Sequence, residues 1–72
     1  MKAVFLINTE RGKERLVRGI LSAKGFEAHT IPGPYNVLAE IKVSGYEEKD
    51  ARLEEIKKIK EVKTVVADLL GT

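Results

Sequence analysis

The sequence has no cysteine. Disulfides and thiolate-held metals are therefore excluded, and a reducing compartment is consistent with the chain. It has no tryptophan, and its aromatic residues are only Phe5, Phe26, Tyr35 and Tyr46. Its single histidine, His29, gives a poor signal for metal binding or acid–base work. No long apolar run is present. The stretch Ala3 to Ile7 stops at Asn8, too short for a signal-peptide core or a membrane span. A dominant charge sign is also missing: 13 basic against 11 acidic residues leave a net charge of +2. Such a balance gives no compositional argument for nucleic acid. These absences point to a soluble cytoplasmic protein that makes no membrane contact and requires neither metal nor cofactor.

What is present fits one domain spanning residues 1–72. No linker, low-complexity tract or long repeat interrupts it. A chain of this size buries a small core, and such domains often gain stability by oligomerising. One third of the residues are charged, which suits a surface laced with helix ion pairs.

Periodicity then divides the chain. Lys2 to Asn8 reads as a strand apolar on both faces. A helix follows over 12–24, with Leu16, Val17, Ile20 and Leu21 on one side and Gly25 at the C-terminal glycine position. Residues 26–31 and 37–43 read as strands; in the second, Val37, Ala39, Ile41 and Val43 alternate with Leu38, Glu40 and Lys42. Ser44-Gly45-Tyr46-Glu47 matches a capping box, with Glu47 reaching back to the serine. The helix it opens runs to about Lys60 and carries Tyr46, Leu53, Ile56 and Ile59. Glu48 with Arg52 and Glu54 with Lys58 are favourable pairs four residues apart. Val62 to Leu70 reads as a last strand, again apolar on both faces.

The order strand, helix, strand, strand, helix, strand predicts an α+β, ferredoxin-like βαββαβ fold. It would hold a four-stranded antiparallel sheet with two helices on one face. Helices on one face leave the other bare, yet the first and last strands are apolar on both. That predicts a homodimer in which two sheets meet, or a sheet edge extended by a partner.

Few residues suggest catalysis. Ser22 and Ser44 lack triad partners. The doublets Glu47-Glu48 and Glu54-Glu55 point about 100° apart on a helix, so they do not converge as a carboxylate pair. No phosphate loop, dinucleotide fingerprint or zinc spacing occurs. Lys57, Lys58, Lys60 and Lys63 form the most basic stretch, which reads first as lysines complementing a helix C-terminus and second as a nucleic-acid patch. An RNA-recognition module shares this strand order but needs stacking rings on its open face, and this chain is poor in them. No enzymatic activity is expected.

The most informative segment is Gly33-Pro34-Tyr35-Asn36, between the second and third strands. Proline fixes one backbone angle and glycine permits unusual ones, so it reads as a hairpin turn. Tyr35 and Asn36 have two readings. One is turn chemistry, with Asn tolerating unusual angles and Tyr packing on a neighbour. The other is recognition of a zwitterion, with loop amides for a carboxylate and carbonyl oxygens for an ammonium.

Leu6-Ile7-Asn8-Thr9-Glu10-Arg11-Gly12-Lys13-Glu14, followed by this turn, resembles the small effector-binding (RAM) domain of the Lrp/AsnC, or feast/famine, transcription regulators. That family carries a strand ending in an Ile-Asn-Thr-like run, a Gly-Lys-Glu helix start and a Gly-x-Tyr-Asp hairpin loop. The resemblance spans nearly the whole chain. It implies an amino-acid-sensing, oligomerising module of transcription regulation. Its ligand-binding residues would be Gly33, Tyr35 and Asn36, the last standing where the family has aspartate, together with Thr64 in the final strand. The DNA-binding helix-turn-helix half is missing, so direct DNA binding is not expected. The implied partners are the chain itself, as a dimer, dimers of dimers or a larger ring, a free amino acid, and full-length regulators of the same type. Two other readings remain open: a purely structural oligomerisation module without ligand, and a small ferredoxin-like dimeric enzyme.

Overall fold

The computed structural model describes residues 1–71. Strand β1 (Lys2–Thr9) leads to helix α1 (Glu14–Ala23), strands β2 (Glu27–Thr30) and β3 (Val37–Lys42), helix α2 (Tyr46–Lys57) and strand β4 (Val62–Leu70). The four strands form one antiparallel sheet in the order β2-β3-β1-β4. This is the ferredoxin-like α+β arrangement that the periodicity predicts. Among the described residues, no helix is long and apolar enough to cross a membrane.

Alternation along β1 sets the two faces. Ala3, Phe5, Ile7 and Thr9 are buried, whereas Lys2, Val4, Leu6 and Asn8 are half-buried on the opposite side. Phe5, Ile7, Val37 and Ala39 pack into one core with Val17 and Leu21 of α1 and Ile56 of α2. Both helices therefore cover the same face. Phe5 is fully buried and meets Phe26 edge-on at a centroid distance of 5.9 Å. Truncating such a ring costs about 3–5 kcal/mol, because the cavity left behind adds to the lost transfer energy.

The uncovered face is apolar along its middle. Register places Leu38 opposite Leu6 and Leu6 opposite Val66, with Val4 and Leu70 nearby on the same side. Val66 and Leu70 remain about half exposed, at 49% and 48%. Val4, Leu6, Val66 and Leu70, with Ala67 and Asp68, line a shallow hollow of about 230 Å³.

Helix α1 ends as Gly25 predicts. Gly25 has φ of +96°. Phe26 donates its amide to Leu21 O at 3.0 Å and Gly25 donates to Ser22 O at 3.1 Å. These are the two bonds of a Schellman cap, and the buried Phe26 and Leu21 supply its apolar contact.

Three local expectations are corrected. Helix α2 begins one residue later than the Ser44 capping box requires, with Gly45 at its N-cap and no side-chain cap. Glu48, not Glu47, then occupies the third helical position, and its carboxylate accepts the Ser44 amide at 2.7 Å. Glu54 pairs with Lys57 at 3.6 Å rather than with Lys58, while Arg52 lies 4.0 Å from Glu48 and 3.1 Å from Glu55. Leu16 and Tyr46, expected on buried helix faces, are exposed at 48% and 68%. The sheet is narrow, and each helix lays only its central stripe against it. Helices α1 and α2 and strands β2 and β3 are also a little shorter than the periodicity suggests, whereas β4 has the expected bounds and β1 continues through Thr9.

Candidate functional site

The turn between β2 and β3 closes through a backbone bond from Ile31 N to Asn36 O at 3.0 Å. Gly33 sits within it at φ of +115°, a conformation that L side chains rarely adopt. Pro32, Gly33 and Pro34 are exposed, and Tyr35 and Asn36 are half-buried.

Asn36 ties this turn to two other elements. Its amide donates to Ile7 O at 2.9 Å. Its Oδ1 accepts the amide of Thr9 at 3.0 Å, at the end of β1. Its Nδ2 donates to Glu14 Oε1 at 3.2 Å, in the first turn of α1. The same Glu14 oxygen also accepts the amide of Gly12 at 3.2 Å. Both ends of the Asn36 amide are thus engaged within the chain. The Asn36 side chain works as a fastener and does not stand open to a ligand. What it brings to the turn is a carboxylate, that of Glu14. Sequence reasoning alone gives Glu14 no role. Its signal is the Gly12-Lys13-Glu14 helix start, but only the fold shows that the turn lies against it.

Thr64 lies elsewhere. It is exposed, and β4 places it opposite Asn8. Asn36 adjoins the other flank of β1. Two strand spacings, roughly 10 Å, separate Thr64 from the turn. Thr64 lines a hollow of about 330 Å³ with Lys57, Val62, Lys63 and Val65. Another hollow, of about 350 Å³, lies at the opposite end of the sheet near the Lys2–Glu40 ion pair of 3.3 Å. Gly33, Tyr35 and Asn36 line neither of these, nor the apolar one on the open face. Among the described residues, then, the four candidates share an end of the sheet but are not gathered in any of these three hollows.

Two other polar groups have local partners. His29 is exposed and lies 3.4 Å from Glu27 on the same strand. Glu48 is held below the usual carboxylate range, chiefly by the Ser44 backbone hydrogen bond, with the Arg52 charge as a lesser contribution. No group of three or more metal-binding side chains occurs among the described residues. Phe5 and Phe26 lie in the core, so neither ring is presented on the open sheet face for base stacking.

No family model matches the chain, and no curated protein matches it. Solved structures do. The feast/famine regulatory protein FFRP-DM1 is 27% identical, with 93% of each chain covered and a TM-score of 0.83. A hypothetical protein from Pyrococcus horikoshii is 25% identical over 97% of this chain and 90% of its own, with a TM-score of 0.79. A protein from Thermus thermophilus aligns over 99% of this chain and 92% of its own, with a TM-score of 0.88. At 19% identity it speaks for the fold alone. The similarity is compatible with a regulatory domain of the Lrp/AsnC type.

Proposed function

We propose that the chain is a cytoplasmic effector-sensing and assembly module of the Lrp/AsnC type, acting in transcription regulation. The observation that carries this reading is the likeness to FFRP-DM1, which runs nearly end to end on both chains. The bare apolar sheet face supports the assembly half. Burial of apolar area stabilises by roughly 25 cal/mol per Å², and Leu6, Leu38, Val66 and Leu70 lie together on that face. A second copy packed there gives a homodimer. Assembly with itself or with full-length regulators then transmits the signal.

The sensing half assigns a free amino acid to the end of the sheet that carries Gly33, Tyr35, Asn36 and Thr64. Because these residues are not gathered in any of the three hollows, the site is completed by a neighbouring subunit. The ligand carboxylate takes amides of the Gly33 turn. Its ammonium takes the Glu14 carboxylate, which stands beside Asn36 where the resembling family has aspartate. A ligand bound between subunits favours the assembled state by its differential affinity for that state. An affinity on the order of micromolar to millimolar would let nutrient level set the oligomer population.

The test is light scattering and calorimetry against the twenty amino acids. A ligand that both binds and shifts the assembly supports the proposal. Stable assembly with no response to any amino acid favours a purely structural module instead.

A further inference from the structure

Backbone direction alternates along β1, and two bonds set its phase. Met1 O accepts from Val43 N and Ile7 O accepts from Asn36 N, each at 2.9 Å, so the odd residues of β1 turn toward β3. The even residues therefore turn toward β4. Their partners are Leu70, Asp68, Val66 and Thr64. In β4, then, the even residues bond inward, and Val65, Ala67 and Leu69 turn their N–H and C=O groups to the free edge. Leu69 agrees with this phase, because its amide is taken at 2.8 Å by the carboxylate of its own neighbour Asp68.

This edge is guarded at its ends and open in the middle. The Asp68 carboxylate occupies Leu69. At the other end the ladder slips between Asn8 and Thr9, which pair with Thr64 and Val62 and leave Lys63 as the extra residue of a bulge. Bulges and charges of this kind limit where an edge can pair. Between them, Thr64 to Asp68 remains regular and contains no proline. The opposite edge, β2, is only four residues long and mostly polar.

We propose that this middle segment pairs antiparallel with the same segment of a second copy, about a two-fold axis through Val66. The register is self-complementary. Val65 lies opposite the second copy's Ala67, both outward in phase, so they exchange two backbone hydrogen bonds, and symmetry repeats the exchange. On the open face Val66 meets its own counterpart, and Thr64 places a hydroxyl opposite the Asp68 carboxylate. No like charges face each other. Two four-stranded sheets become one. The two apolar hollows lined by Val4, Leu6, Val66 and Leu70 join at the axis into a wider face. This contact is distinct from face-to-face packing and leaves the bare face free for it. The two contacts together supply a route from dimers to dimers of dimers.

The test is site-directed cross-linking, since the chain has no cysteine of its own. Opposed residues in a non-hydrogen-bonded antiparallel pair lie about 4.5 Å apart at Cα, within disulfide range. Val66→Cys should give a covalent dimer under mild oxidation. Thr64→Cys and Asp68→Cys should each stay uncoupled alone, and should couple when mixed. Ala67→Pro removes an outward amide and should abolish the Val66→Cys product, with circular dichroism reporting whether it folds. If Ala67→Pro does not fold, the Thr64 and Asp68 mixture decides the register by itself. No covalent dimer from Val66→Cys overturns the proposal. So does a mixture that reacts no better than its components, or a Val66→Cys product that persists in folded Ala67→Pro.

Discussion

Asn36 and Glu14 lie 22 residues apart and are joined by a hydrogen bond of 3.2 Å. With the bond from Thr9 N to Asn36 Oδ1 at 3.0 Å, it locks the β2–β3 turn to the end of β1 and the start of α1. Thr9 is only 3% exposed, so water does not readily replace that acceptor. Asn36→Ala should therefore cost about 1–3 kcal/mol, the usual consequence of orphaning a buried donor. Asn36→Asp keeps the acceptor for Thr9 but sets a carboxylate against Glu14, so it should also destabilise at neutral pH. Denaturant titration checks both. Wild-type midpoints for the two variants would mean that the turn is held by other contacts.

Much of this architecture is legible in the residues. The succession Ala3 to Ile7 announces a strand with two apolar faces, and the alternation of Val37, Ala39 and Ile41 marks a partner with one. Gly25 marks a helix end. The polar fastening is not legible, because a side-chain bond between Asn36 and Glu14 depends on tertiary approach rather than on spacing. The shift of the α2 start from Ser44 to Gly45 as cap has a similar cause. Two glutamates stand in succession, and sequence alone does not say which one reaches back. Thr64 and the turn are near neighbours in topology, yet an intervening strand keeps them apart.

Opposite faces of β1 should respond oppositely to charge. Leu6 is half-buried on the bare face, and Phe5 is fully buried beneath the helices. Leu6→Lys should fold and yield a particle nearer the 8.0 kDa of one chain, because it places a charge where a second sheet would pack. Phe5→Lys should fail to fold, since a buried, unpaired ammonium is far costlier than a lost contact. Sedimentation and circular dichroism separate the cases. A fully assembled Leu6→Lys protein would remove the bare face from the interface.

Glu48 links the α2 start to pH. Its folded-state pKa lies below the ordinary 4.5, mainly through the Ser44 amide. A carboxylate depressed on folding contributes stability above its unfolded pKa, and that contribution is lost as pH falls through the folded value. Glu48→Gln should therefore melt below wild type at neutral pH. The difference should narrow once pH drops beneath about 4.5 and vanish in stronger acid. A thermal-melt series from neutral pH into strong acid reads this directly. A constant gap across that range would mean that the charge of Glu48 contributes nothing.

Glu14→Gln separates recognition from scaffolding. The glutamine side-chain oxygen can still accept from Gly12 N and Asn36 Nδ2, which now meet at one carboxylate oxygen. The turn should stay fastened and the melting temperature should change little. The negative charge, however, is gone. A hydrogen bond to a charged group is worth roughly 1.5–3 kcal/mol, so an ammonium that relies on Glu14 should bind about ten- to a hundredfold more weakly. Calorimetry with whichever amino acid binds wild type gives the comparison, and an N-acetylated form of that amino acid supplies the control. If Glu14 receives the ammonium, acetylation weakens binding to wild type strongly and to Glu14→Gln much less. Equal losses in both proteins would place the ammonium elsewhere, and unchanged affinity in Glu14→Gln would remove this carboxylate from the site.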